Sequence, residues 1–231
     1  MAEMRTVAVV LAGGVGTRFG QAVPKQLVEV AGTSILAHSI AAFEASRLID
    51  DILVVMAPGH LDAARSIIDE SGFTKVVGVI EGGETRTDST MRALEELGSD
   101  ECRVLLHDAA RPAVSGDVIA AVVTALSSHD AVGPAVESTD TTVLVDGDVM
   151  VEVLPRHRLR RMQTPQGFRL SVIRAATVAA AADDAQEATD DCSAVLRHVP
   201  GVDVLIVPGD PDNIKVTTSA DLEAAERLLT R

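Results

Sequence analysis

The chain has 231 residues, a length that suits one large α/β domain better than two small ones. Hydrophobic residues make up 47%, and with four Phe and no Trp or Tyr the core must be built from Val, Leu, Ile and Ala. A net charge of −14 argues against a nucleic-acid polymer as partner, because that partner needs a broad basic face; any polyanion bound here is small and met by a local cluster of cations.

Cys102 and Cys192 form no CxxC pair, which fits a reducing compartment and offers no zinc site. The opening MAEMRTVAVVLAGG lacks the apolar core of a signal peptide, and no run of about 20 apolar residues occurs. The expectation is a cytoplasmic protein without a membrane span.

In chain order, VAVVLA (7–12) reads as a strand that runs into a glycine-rich loop, LAGGVGTRFG (11–20), and on to VPKQL. DILVVMA (51–57), KVVGVI (75–80), RVLLH (103–107) and AVGPAV (131–136) follow, each short, rich in Val, Leu or Ile and not alternating, as buried parallel strands read. Between them SILAHSIAAFEAS, HLDAARSIIDES, RTDSTMRALEEL and GDVIAAVVTALSS carry apolar residues at helical spacing. Strand alternating with helix predicts an α/β fold with a doubly wound, mostly parallel, Rossmann-like sheet. Its ligands gather at the carboxyl ends of the strands.

The rhythm breaks after Val136. TTVLVDGDVMVEV alternates around Asp146-Gly147, a two-residue hairpin signal. An inserted hairpin arm at about 138–162, with an exposed Val/Leu face, predicts a homodimer; the other reading is a hairpin lying flat on its own domain. LSVIRAATVAAAA (helix), DDAQEATDD (polar loop), CSAVLRHV (helix) and DVLIVPG (strand) come next. DPDNIKVTTSADLEAAERLL closes the chain with a helix capped by Thr218 or Ser219. With no repeat or low-complexity linker, residues 1–231 read as a single domain bearing an arm.

The glycine loop fails both familiar phosphate patterns. In a dinucleotide fingerprint the third glycine would stand where Phe19 is, and Gly20 comes one place late; no glycine has a Gly-Lys-Ser/Thr partner at P-loop spacing. What remains is Gly13, Gly14 and Gly16, whose backbone N–H groups close on an anion, with Arg18 and Lys25, the latter stiffened by Pro24. That combination points to a polyphosphate. The segment 156–161, RHRLRR, puts four arginines in six positions of an acidic protein, either a solvated basic run or a second phosphate site completed across the dimer interface. The six histidines show no metal-binding spacing; His107 packs at a strand end, and His157 is available to a phosphate.

LAGGVGTRFG…PKQL resembles the signature of sugar-phosphate nucleotidyltransferases, whose opening loop wraps a nucleoside triphosphate. With GGETRTDS (82–89), HDAARP (107–112) and DNIKVT (212–217), the chain from about 5 to 229 resembles the 2-C-methyl-D-erythritol 4-phosphate cytidylyltransferase family of the non-mevalonate isoprenoid pathway. That resemblance implies attack by a sugar-phosphate oxygen on the α-phosphorus of CTP, with pyrophosphate leaving and Mg²⁺ assisting. The nucleophile is already an anion, so the task falls to cations and oriented N–H groups rather than a strong base.

Residue by residue, the resemblance makes Arg18, Lys25, Arg156 and Lys215 catalytic. It gives the nucleotide to Ala12, Gly13, Gly14, Gly16, Gly83, Arg86, Ser89 and Asp108. It gives the polyol phosphate to Arg111, Thr141, Arg156, Thr164, Thr189, Asp190 and Lys215. Asp108 and Asp212 are the candidate Mg²⁺ ligands, since Mg²⁺ takes one or two carboxylates plus phosphate oxygens. Two of these positions have plainer readings: Asp108 as a cap for the helix after its strand, and TDST (87–90) as a helix N-cap. The family has an acidic residue before the arginine at 156, whereas this chain has Pro155. A cytidylyltransferase for another polyol phosphate, such as ribitol 5-phosphate, uses the same chemistry. A non-catalytic nucleotide-sensing subunit is the competing class, and Arg18, Lys25, Asp108 and Lys215 together speak against it.

Overall fold

The computed structural model describes residues 4–14, 24–183 and 189–230. Along the chain these form β1 (Thr6–Ala12), β2 (Glu29–Val30), β3 (Thr33–Ser34), α1 (Ile35–Glu44), β4 (Asp51–Met56), α2 (Leu61–Ser71) and β5 (Val76–Glu81). Next come α3 (Arg86–Glu96), β6 (Arg103–Asp108), α4 (Gly116–Ala125), β7 (Ala131–Glu137), β8 (Val143–Asp146) and β9 (Val149–Val153). The remainder is β10 (Arg160–Met162), β11 (Gln166–Arg169), α5 (Leu170–Ala181), α6 (Asp191–His198), β12 (Val204–Pro208) and α7 (Ser219–Leu229).

Every residue of β1 is buried, as its unbroken apolar run predicts for a strand covered on both sides. Its residues alternate between two cores. Ala8, Val10 and Ala12 join Leu36, Ile40 and Phe43 of α1, Ala64 and Ile68 of α2, and Val118, Ile119 and Val122 of α4. Val7, Val9 and Leu11 join Ala93 and Leu94 of α3, Ile173 and Ala176 of α5, and Val195 of α6 on the other face. Helices therefore cover both faces, and the sheet is doubly wound.

The main sheet has eight strands, in the order β5-β4-β1-β6-β11-β7, with β10 and β12 also paired to β7. Neighbouring pairs β1–β4, β1–β6, β4–β5 and β7–β12 are parallel, while β11 runs antiparallel to both β6 and β7. The chain builds outward from β1 through β4 to β5, then returns to β6 on β1's other side. That reversal opens a crevice beyond the carboxyl ends of β1 and β6, the switch point where such sheets take ligands.

Residues 160–169 held no sequence signal for a sheet strand, yet β10 and β11 lie successively along one edge of β7, pairing Met162 with Ala135 and Phe168 with Ala131. These strands are too short and mixed to show a period. Burial of Gln166, Gly167 and Phe168 between two sheet strands places them, not local propensity. The bond between Thr164 and Pro165, at the break between β10 and β11, is cis.

The hairpin forms as its own two-stranded sheet, β8 with β9. Its turn lies one residue later than Asp146-Gly147 suggests: Asp146 pairs with Val149, leaving Gly147 and Asp148 as the loop. Gly147 takes a positive φ of 54°, the glycine-favouring conformation of a primed hairpin turn. All residues 144–153 are exposed, so the hairpin does not lie flat on its own domain.

Candidate active site

Gly13 and Gly14 follow β1 directly, and Asp108 is the last residue of β6, so both stand at the switch-point crevice. Ala12 is wholly buried beneath them. A 3-10 turn, Lys25–Leu27, closes over this edge. Its Gln26 Nε2 donates to Gly14 O at 3.1 Å, and Lys25 Nζ donates to Val216 O at 2.8 Å. PKQL thereby connects the opening loop to DNIKVT. Gly16 and Arg18 lie outside the described residues.

GGETRTDS forms the next wall. Thr85 caps α3, accepting from Asp88 N–H while the Asp88 carboxylate accepts from Thr85 N–H, a reciprocal capping box. Helix capping is thus part of this motif, though the cap is Thr85, ahead of TDST. Ser89 Oγ accepts Gly83 N–H at 3.0 Å and donates to Thr85 O at 3.0 Å, holding the turn against the helix. A Cβ on Gly83 would come 2.2 Å from Asp88 Cβ, so this close approach admits only glycine. Gly83, Arg86 and Ser89 all line the cleft with Gly13, Gly14 and Lys25.

Arg86, in the first turn of α3, carries the densest ion pairing of the site. Its Nη2 donates to Asp191 Oδ2 at 2.6 Å and its Nε to Asp108 Oδ1 at 3.2 Å, while Lys215 Nζ donates to Asp108 Oδ2 at 2.8 Å. Two cations balance two carboxylates. Burial works to raise the pKa of Asp108, but the Arg86 and Lys215 charges outweigh it and hold the carboxyl well below the usual range. Burial likewise opposes the charge on Arg86, and the fields of Asp191 and Asp108 overcome it. Asp108 does not cap the following helix: α4 begins eight residues on, with Ser115 at its N-cap position.

Asp191 was missed in the sequence, where its neighbour Asp190 drew the attention. The two carboxylates diverge at the start of α6. Asp190 caps the helix, accepting from Ser193 N–H at 2.8 Å and from Gln166 Nε2 at 2.7 Å. Asp191, one residue inside and 5% exposed, reaches Arg86 instead. The Asp-Asp doublet was the only available signal.

The second half of the cleft is lined by Arg111, Thr164, Thr189 and Asp190, and it shares Arg86, Asp108 and Lys215 with the first half. Those three residues stand where the halves meet. QTPQ and DNIKVT brace this region together. Gln163 Nε2 donates to Asp210 O at 2.7 Å, its Oε1 accepts from Asp210 N–H at 3.0 Å, and Asn213 Nδ2 donates to Thr164 O at 2.8 Å. Arg111 Nη1 donates to Asn213 O at 2.8 Å. Sequence reasoning did not single out Gln163 or Asn213, because buried amides have no local period.

Three expected residues are not brought into this cleft by their own chain. Thr141 is exposed at the root of the hairpin, and Arg156 is exposed in a 3-10 turn, Arg156–Arg158, past its end. Asp212 is exposed, its N–H donating to Asp210 Oδ1 at 2.9 Å, and it does not line either half. Among the described residues no three His, Cys, Asp or Glu side chains converge on a metal position. His157, Arg158, Arg160 and Arg161 line a separate groove with Glu137 and β12.

The model of the IspD family, 2-C-methyl-D-erythritol 4-phosphate cytidylyltransferase, matches residues 6–231. The chain belongs to that family. It is 49% identical over 232 residues to the 2-C-methyl-D-erythritol 4-phosphate cytidylyltransferase of Thermobifida fusca (strain YX), covering 97% of this chain and 93% of the relative. The crystal structure of 4-diphosphocytidyl-2C-methyl-D-erythritol synthase from Anaerococcus prevotii DSM 20548 superposes with a TM-score of 0.87 at 27% identity, covering 99% of this chain and 97% of that one. The bifunctional ribulose 5-phosphate reductase/CDP-ribitol pyrophosphorylase Bcs1 of Haemophilus influenzae is 34% identical over 232 residues, covering 99% of this chain and 49% of the relative. No helix among the described residues is long and apolar enough to cross a membrane.

Proposed function

We propose that this chain transfers the cytidylyl group of CTP to 2-C-methyl-D-erythritol 4-phosphate, releasing pyrophosphate. The observation that carries this reading is the junction of the two cleft halves at Arg86, Asp108 and Lys215. Gly13, Gly14 and Lys25 on one side suit a triphosphate; Arg111, Thr164, Thr189 and Asp190 on the other suit a phosphorylated polyol. An acceptor phosphate oxygen forms the new bond to the α-phosphorus as the bond to the bridging oxygen of pyrophosphate breaks. No proton moves, so cations supply the stabilisation: Lys215 at the junction, Lys25 at the phosphate loop, and Arg18 from the same loop.

Asp108 fits a Mg²⁺ site of the kind Mg²⁺ prefers, one carboxylate completed by substrate phosphate oxygens, and it stands at the junction where those oxygens meet. Bound there, the ion would neutralise charge on the phosphates. Asp212 has no comparable position.

The same reading makes the chain a cytoplasmic homodimer. On one face of the hairpin Val145 pairs with Met150 and Val143 with Val153; Val145, Met150 and Val153 are 59%, 61% and 55% exposed, an apolar stripe suited to a second copy. The arm would carry Thr141 and Arg156 to the acceptor half of its partner, with Arg156 meeting the sugar phosphate. Both thiols are buried and unbridged, in keeping with a reducing compartment.

The relative from Haemophilus influenzae, named as a CDP-ribitol pyrophosphorylase, favours one second reading, ribitol 5-phosphate as acceptor. Pyrophosphate release with Mg²⁺, measured for each NTP against methylerythritol phosphate and ribitol 5-phosphate, tests both. Release with CTP and methylerythritol phosphate alone supports the first reading, and release with ribitol 5-phosphate moves the acceptor. Binding of CTP without release from any pair would make the chain a nucleotide-sensing subunit.

A further inference from the structure

His107 is wholly buried directly beneath Asp108, and the transfer reaction has no use for it as acid or base. Its ring packs edge-on against Phe43, with centroids 5.1 Å apart. Nε2 lies 3.2 Å from Arg111 O and Nδ1 lies 3.0 Å from Thr164 Oγ1. A carbonyl oxygen only accepts, so Nε2 carries the proton and donates. The ring is wholly buried with its nitrogens on a carbonyl and a hydroxyl rather than a carboxylate, so it is neutral, and a neutral ring protonated on Nε2 leaves Nδ1 as an acceptor. Thr164 must therefore give its hydroxyl proton to His107. The same Thr164 oxygen accepts the backbone N–H of Asp108 at 3.1 Å.

We propose that His107 is a positioning residue for the transfer site: it takes the Thr164 hydroxyl proton, and so fixes Thr164 as a hydrogen-bond acceptor facing the polyol and as the seat of the Asp108 backbone. Thr164 has one donor and two acceptor lone pairs. With the donor given to His107 and one lone pair given to Asp108 N–H, a single lone pair remains toward the cleft it lines. A hydroxyl group of the acceptor matches that lone pair; a carbonyl oxygen at the same place meets it acceptor to acceptor. His107 thus contributes to the choice of an alcohol without touching it.

This inference deepens the transferase reading and rests on it for the kinetic half of its test. Asn places an acceptor near the Nδ1 position and Gln a donor near the Nε2 position, so the two variants separate the two contacts. His107→Gln is expected to raise the KM for methylerythritol phosphate about tenfold more than His107→Asn does, with the KM for CTP alike in both. Adding His107→Gln to Thr164→Val should cost nothing beyond Thr164→Val alone. Equal losses in the Asn and Gln variants, or losses that multiply in the double variant, would overturn the proposal. The second half needs no activity: long-range ¹⁵N–¹H spectra of the imidazoles, assigned by the signal absent in His107→Asn, should show His107 protonated on Nε2 alone at pH 7. A ring protonated on Nδ1, or on both nitrogens, would overturn the proposal even if the enzyme assay succeeds. A parent protein without transferase activity would defeat the functional reading and leave the tautomer to decide.

Discussion

Lys215 Nζ donates to Asp108 Oδ2 at 2.8 Å, joining residues 107 positions apart in the chain. Arg86 holds the other oxygen of the same carboxylate, so Asp108 spaces two cations that would otherwise repel across the cleft. Asp108→Asn keeps the shape and removes the charge. We expect kcat/KM to fall about 10²–10³-fold, a loss typical of removing one preorganised electrostatic group from a reacting centre. Steady-state pyrophosphate release measures it, and a variant with parental kinetics would remove Asp108 from the mechanism.

Asp191→Asn should loosen Arg86, leaving it with Asp108 alone. Breaking a fully buried pair costs more, but the Arg86 side chain is 31% exposed and keeps one partner, so we expect about 1–3 kcal/mol of lost stability. Urea unfolding reads that loss. Activity should fall along with it, because Arg86 stands at the meeting point of both halves; a destabilised variant with parental kcat/KM would restrict Asp191 to a structural role.

Arg18→Ala should leave CTP affinity nearly intact and slow turnover by about 10²-fold, the pattern of a contact made mainly in the transition state. Calorimetric titration with CTP and single-turnover kinetics separate the two effects. Weakened binding with unchanged turnover would make Arg18 a ground-state ligand only.

If Arg156 acts on the partner's acceptor half, variants can rescue each other. Mixed Arg156→Ala and Lys215→Ala chains form hybrid dimers in which one site has both residues intact. Random reassortment should then restore about a quarter of the parental activity. Mixtures as inactive as their components would place Arg156 in its own chain's chemistry. Val145→Glu with Met150→Glu should give a monomer in sedimentation, since two charges replace a cross-strand pair of the exposed apolar stripe.

His107 also sets a pH dependence of stability. Its pKa is about 6.5 unfolded and about 4 folded, so below pH 6.5 the unfolded chain takes up a proton that the folded chain refuses. Stability should fall as pH drops from 6.5 to 4 and stop falling from this cause below 4, by ~3 kcal/mol in all. His107→Asn should flatten urea midpoints measured across that window. Asp108 acts lower: its folded pKa is depressed, so its contribution is present above its ordinary 3.8 and is lost only at more acidic pH. Parallel curves for parent and variant would contradict the buried neutral ring.

The sequence determined by itself the parallel strands and the helices between them, because burial on both faces writes unbroken runs such as VAVVLA and helical faces write a period of 3.6. It also carried several residues that line the cleft: Gly83, whose close approach to α3 leaves no room for a Cβ, and the cations Lys25 and Lys215. It did not carry partnership. The pairing of Arg86 with Asp191 spans 105 residues, and the Thr164 contact with His107 spans 57; no local propensity encodes either. Strand β11 is equally silent, as four residues between two other strands owe their conformation to neighbours. Only the tertiary structure decided which of Asp190 and Asp191 reaches Arg86, that Asp108 does not cap a helix, and which hydroxyl proton is already taken. Hydrogen bonds and ion pairs form between groups that are close in space, and distance in space is what folding, rather than chain order, assigns.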